Sequence, residues 1–185
     1  MWSAYFGTVR KLWKGALVAV RKTQDDLVAY RVPVAEILKS WNPFAAWNVG
    51  KISPADVLAM SEADILANRG ADPIPYEETK PGQRGVTKAA MRLRHIARIA
   101  YLVTNVDGTP IEIDVGCPSL STRVSVNLFE ISDGNHRLAA AAIRKDHDIV
   151  VYPAGELDYF ESVFPSAVET VVDQNPGLIS WPSLS

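Results

Sequence analysis

Apolar and polar positions change period several times along this chain, and each period predicts an element. Residues Ala16 to Arg21 and Leu27 to Val34 are rich in Val, Ala and Tyr and flank the polar run Lys22-Thr23-Gln24-Asp25-Asp26, the pattern of a hairpin. Val34 to Trp41 reads as a short helix stopped by Asn42-Pro43, and Ser53-Pro54 opens a second with a cap residue and a first-turn proline. Ser61 and Asp64 have capping-box spacing, and Gly70 closes the helix they start. Between Asp72 and Gly85, Pro73, Pro75, Pro81, Gly82 and Gly85 resist regular structure and predict a loop or lid.

Helical periodicity returns from Thr87 to Thr104. Leu93, Ile96, Ala97 and Ala100 recur at i, i+3, i+4 and i+7 as a core-facing stripe. Arg84, Lys88, Arg92 and His95 then fall on the opposite face, with Arg94 and Arg98 to one side. Asn105 to Gly108 is a turn, Ile111 to Val115 alternates as a half-exposed strand does, and Val124 to Ile131 reads as the next strand. Leu138 to Ile143 is helical, Ile149 to Tyr152 a strand, and Pro165 is expected to start a C-terminal helix with Val168, Val171 and Val172 inward. The order helix, strand, strand, helix, strand makes this an α+β chain.

With 185 residues, 48% of them hydrophobic, the chain suits one domain over residues 1–185 with an N-terminal extension to about residue 70. A formal net charge of −2 exerts no global pull on nucleic acid or membrane. Local charge does change the picture: Lys80 to Arg98 holds six Lys or Arg residues, His95 and no acid, whereas no Lys or Arg follows Arg144 and Lys145. The single cysteine, Cys117, excludes an internal disulfide and fits a reducing cytoplasm; no neighbouring His or base activates it as a nucleophile. Arg10, Lys11 and Lys14 interrupt the first apolar stretch, so neither a signal core nor a membrane span is expected, and the protein reads as soluble and cytoplasmic. His95 and His147 read as surface residues outside any zinc-ligand spacing.

The candidate chemistry lies in Ile131-Ser-Asp-Gly-Asn-His-Arg-Leu, where the polar turn Asp133 to Arg137 separates a strand-like run from a helix. A helix starting near Asn135 leaves its first N–H groups unpaired and its dipole positive, which stabilises a phosphate or carboxylate. Gly134 permits a tight approach, and His136 and Arg137 add cationic or titratable donors where the dipole alone would favour acids. Asp133, and more weakly Glu130, are the candidate carboxylates for a divalent metal, Mg²⁺ being expected, or for a water. Glu130 is equally well explained as a solvated strand residue, and Asp133 as an ordinary turn residue.

The series helix, Pro-Ile-Glu-Ile-Asp-Val, Leu-Phe-Glu-Ile-Ser, Asp-Gly-Asn-His-Arg-Leu-Ala-Ala-Ala, Ile-Val-Val-Tyr resembles the ParB/sulfiredoxin superfamily over about residues 87–154. The resemblance implies a ParB/sulfiredoxin-like mixed sheet with helices packed on it, here with an N-terminal hairpin and helices and a short C-terminal helix. In that superfamily the position of Asn135 is Cys in the sulfiredoxin branch and often Glu in chromosome-partitioning proteins. Asparagine there removes the thiol needed for sulfinic-acid repair. His136 and Arg137 match positions that contact nucleotide phosphates in the family. The stretch after Ala154 is too short and too acidic for the DNA-reading and dimerising parts of a partition protein. In size the chain looks more like stand-alone, plasmid-borne members that inhibit conjugative transfer.

That branch implies nucleotide (ATP or another) hydrolysis and DNA cleavage, with Asp133, His136 and Arg137 catalytic, Gly134, Asn135, His136 and Arg137 holding phosphate, and Mg²⁺ as metal. Lys88, Arg92, Arg94 and Arg98 would follow a DNA backbone without reading sequence. A conjugation or type IV secretion component is the implied protein partner. Two alternatives stand beside this enzyme: a nucleotide- or DNA-binding module without turnover, and an inhibitor acting through protein contacts at Trp41, Phe44 and Trp47.

Overall fold

A computed structural model of the chain describes residues 28–72, 74, 86–117 and 128–172. Its strands are β1 (Ala29–Pro33), β2 (Ile111–Asp114), β3 (Glu130–Asp133), β4 (Asp148–Ala154) and β5 (Val168–Thr170), in one sheet of order β3-β2-β4-β1-β5. Only β2 and β4 are parallel; the other neighbours are antiparallel, so the sheet is mixed. Among the described residues six α-helices accompany it: α1 (Val34–Ser40), α2 (Pro54–Leu58), α3 (Glu62–Ala67), α4 (Lys88–Thr104), α5 (Asn135–Arg144) and α6 (Leu157–Val163).

Strand register places Tyr30 and Val32 of β1, Val151 of β4 and Ile111 and Ile113 of β2 on one face of the sheet. All five are buried, and Leu138 and Ala141 of α5 close over them with Phe160 and Phe164. The other side of α5 belongs to a second core. There Ala139 and Ala140 meet Met91, Ile96, Ile99 and Leu102 of α4 together with Val49, Ile52 and Val57. The run Ala139 to Ala142 therefore serves a central helix: small side chains let the sheet and the helical layer approach α5 from both sides.

The helical layer starts with the expected caps. Ser53 and Asp56 form a capping box on α2, and Ser61 and Asp64 form one on α3. Both short helices lean on α4, to which Arg92 binds the first, α2, by donating to Asp56 at 2.8 Å and to the Lys51 carbonyl at 2.8 Å.

The segment expected as the second arm of a hairpin is β1, which pairs with β4 and β5; the first arm lies outside the described residues. Two expectations need correction. The C-terminal helix does not begin at Pro165. α6 ends at Val163, and β-branched Val168 and Thr170 extend to pair with β1, which offers an open edge there. On α4 the inward face is wider than the stripe expected: Leu93 is 43% exposed, while His95, expected at the surface, is fully buried. Packing against α5 on one side and α2 and α3 on the other explains that width.

Candidate functional site: the first turn of α5

Strand β3 ends at Asp133 and the chain turns into α5 through Gly134, whose φ of +96° lies in the left-handed region. The tight approach is real. A Cβ on Gly134 would meet the Ile111 Cβ at 2.6 Å and its Cα at 3.0 Å, so only glycine lets α5 start this close to β2. No side chain caps the helix, and the first helical N–H with a main-chain acceptor is that of Leu138, on the Gly134 carbonyl. The amides of Asn135, His136 and Arg137 thus form the positive end of a ten-residue helix, at a half-buried turn.

Consecutive side chains on a helix diverge by about 100°, and these three do. Asn135 accepts the Trp41 indole N–H at 2.8 Å and donates to the Ile131 carbonyl at 3.2 Å. With Trp41 and Glu130 it lines a cleft of about 350 Å³. Arg137 turns to another cleft, of about 300 Å³, shared with Asp107, Arg144 and Asp148. Its Nη2 bonds Asp133, its Nη1 lies 3.8 Å from Asp107, and its Nε is buried without an acceptor.

His136 points into the protein. Its Nε2 lies 2.8 Å from Nδ1 of His95, and the Trp47 ring stacks on both imidazoles at centroid distances of 4.4 and 4.5 Å. Burial holds the His95 ring at about 4, well under its ordinary 6.5, with repulsion from Arg94 adding to it. Burial likewise pushes His136 well below 6.5, assisted by His95, Arg98 and Arg137. Both rings are neutral at pH 7, so His136 is not a ready general acid.

Of the expected site residues, the structure joins Asp133 to Arg137, sets Asn135 beside Glu130, and joins His136 to His95. Convergence comes from the main-chain amides, not from one pocket of side chains. Asp133 is 73% exposed apart from its bond to Arg137, and Glu130 is exposed. Among the described residues no group of three or more His, Cys, Asp or Glu could hold a metal ion. A divalent ion held chiefly by a ligand's own phosphates needs only one or two carboxylates, and Asp133 is the side chain that fits that need.

The basic face of α4 is largely occupied. Arg92 holds Asp56 and Lys51, Arg98 donates to the carbonyls of Gly70 and Ala71, and Lys88 is exposed with a 3.4 Å contact to Asn48. Arg94 is half-buried. Trp41, Phe44 and Trp47 are all half-buried and packed within the chain. Cys117 is exposed and free, and among the described residues no helix is long and apolar enough to cross a membrane.

No family model, curated protein or solved structure matches the chain.

The sequence did not reveal the place of His95, Trp47, Trp41, Asp107 and Ile111 at this turn; Trp41 and Trp47 stand out there only as protein-contact residues. A signal existed for His95: it falls on the line Met91, His95, Ile99, Leu102, spaced i, i+4, i+8, i+11, with apolar residues on either side.

Proposed function

We propose that the protein binds a phosphorylated ligand, a nucleoside triphosphate with its divalent ion, at the first turn of α5. The observation that carries this reading is the uncapped set of amides at Asn135, His136 and Arg137, delivered by a glycine that tolerates no side chain. Arg137 supports it with a buried Nε that lacks an acceptor, in a guanidinium able to trade a local carboxylate for phosphate oxygens. The order α4-β2-β3-α5-β4, with the Asp-Gly-Asn-His-Arg turn between β3 and α5, is compatible with a ParB/sulfiredoxin-like domain.

A second reading adds turnover: nucleotide hydrolysis and DNA cleavage, in a protein that interferes with conjugative DNA transfer through a transfer component. The exposed carboxylate of Asp133 favours it, since that group stands one residue before the glycine and is open to a water or a phosphate-borne Mg²⁺. In this reading exposed Lys88 follows the DNA backbone, a contact that carries no sequence information.

Calorimetric titration with nucleoside triphosphates, with and without Mg²⁺, tests the binding. Wild type is expected to bind, and Arg137→Ala to bind about tenfold more weakly or worse, in line with loss of a charge-assisted contact. Absence of binding by the wild type refutes the reading. Turnover is tested separately by phosphate release and plasmid nicking: Asp133→Asn should abolish both while leaving binding in place, and a wild type that binds without turnover leaves the module alone standing.

A further inference from the structure

We infer that His95 is a positioning residue that fixes His136 in its Nδ1–H tautomer, so that His136 offers an uncharged N–H donor beside the amides of the α5 turn. The argument starts from the single hydrogen bond between the rings, His95 Nδ1 to His136 Nε2 at 2.8 Å. One proton occupies it, and it belongs to one ring or the other.

The remaining nitrogen of His95 decides which. His95 is fully buried, and among the described residues its Nε2 has no hydrogen-bond partner. Were the shared proton on His136, His95 would carry its own proton on Nε2, leaving an N–H orphaned in the interior. Buried N–H groups without acceptors are among the rarest features of folded proteins, and a lone pair left unpaired is better tolerated. The proton therefore sits on His95 Nδ1, and His136 Nε2 accepts it.

A neutral imidazole holds one proton, so that of His136 sits on Nδ1. Nδ1 is bonded to Cγ, so it lies at the end of the ring nearer the main chain of residue 136, the second position of α5. Trp47 stacked on both rings prevents them from rotating out of this arrangement. The consequence for the proposed phosphate ligand rests on the reading above; the tautomer itself does not.

Long-range ¹H–¹⁵N correlation spectra of the full ¹⁵N-labelled chain at neutral pH test it. The chain has three histidines, and His147→Gln and His136→Gln assign their signals. Wild type is expected to show His95 and His136 both protonated on Nδ1; a proton on Nε2 of His136 overturns the inference. His95→Leu should move His136 toward the Nε2–H form, and His95→Asn, whose side-chain amide can donate from near the Nδ1 position, should restore Nδ1–H. If His95→Leu does not fold, the wild-type spectrum still decides. With ATP as probe, His95→Leu should bind several-fold more weakly and His95→Asn close to wild type. A wild type with the expected tautomers but no ATP affinity refutes the proposed function and leaves the tautomer assignment intact.

Discussion

The indole N–H of Trp41 donates to Oδ1 of Asn135 at 2.8 Å, while Nδ2 of Asn135 donates to the carbonyl of Ile131. One amide thus ties α1's end, β3 and α5 together at the mouth of the proposed site. Its two faces have different chemistry, one accepting and one donating, which only an amide supplies here. Asn135→Ala should cost about 1–3 kcal/mol, the range for a half-buried side chain that loses two bonds and strands their partners. Asn135→Asp keeps the acceptor for Trp41 but sets a carboxylate oxygen against the Ile131 carbonyl in place of the donor, so its urea midpoint should also fall. Its nucleotide affinity should fall at least tenfold, because a carboxylate then competes with phosphate at the same amides. Equal affinity in Asn135→Asp and wild type would remove the phosphate from this turn.

Gly134 makes a sharper demand. A residue with a Cβ at φ +96° is strained, and that Cβ would press into Ile111, whose position in the centre of the sheet leaves no room to yield. Gly134→Ala should lose about 2–5 kcal/mol from backbone strain plus overpacking. Chemical denaturation measures it. A Gly134→Ala variant as stable as wild type would mean that the close approach to Ile111 does not limit the turn.

The capping boxes at Ser53 and Ser61 were legible because each is a local contract between residues three apart. The turn at Gly134 was legible for the same reason. What could not be read was set by distant chain. Whether Val168 to Val172 coils or extends depends on the edge that β1 offers, not on its own period, which fits a helix as well. His95 reads as a surface residue by its polarity, although it lies on the Met91–Leu102 line, and the partner that buries it is 41 residues away. The divergence of Asn135, His136 and Arg137 was in principle available, since helix geometry alone forbids three consecutive side chains from meeting in one pocket.

Arg92 has two duties open to it, and the geometry favours the internal one. Bound to Asp56 and to the Lys51 carbonyl, it anchors α2 to α4. Arg92→Ala should lower stability by roughly 1 kcal/mol, as expected for a partly exposed ion pair with an added hydrogen bond. Exposed Lys88 is the better probe of DNA. If it neutralises one phosphate, Lys88→Ala should reduce the slope of log affinity against log salt by about 0.9, measured by fluorescence anisotropy on duplex DNA. An unchanged slope would take α4 out of any DNA contact.

Acid should loosen the molecule through the two buried imidazoles. The unfolded chain takes up protons as pH falls through about 6.5, the ordinary histidine value, whereas burial and the Arg94 charge keep His95 neutral in the folded protein down to about 4. Between those values the unfolded state binds more protons, so stability falls as pH drops from 6.5 to 4 and levels off below. The charges acting on the pair are all cationic, Arg94 on His95 and Arg98 and Arg137 on His136, so none offsets the effect. For His95 alone the loss is on the order of 3 kcal/mol. Other acid-sensitive groups act lower. The Asp56 carboxyl is held below its usual 3.8 by bonds from Ser53, then by Arg92, so its contribution is intact above 3.8 and is lost only beneath it. Urea midpoints measured from pH 7 to 4.5 should therefore decline in wild type and in His147→Gln, and should decline less in His95→Leu. A wild-type midpoint that holds steady across that interval would show that the two rings are not shielded from protons as their packing requires.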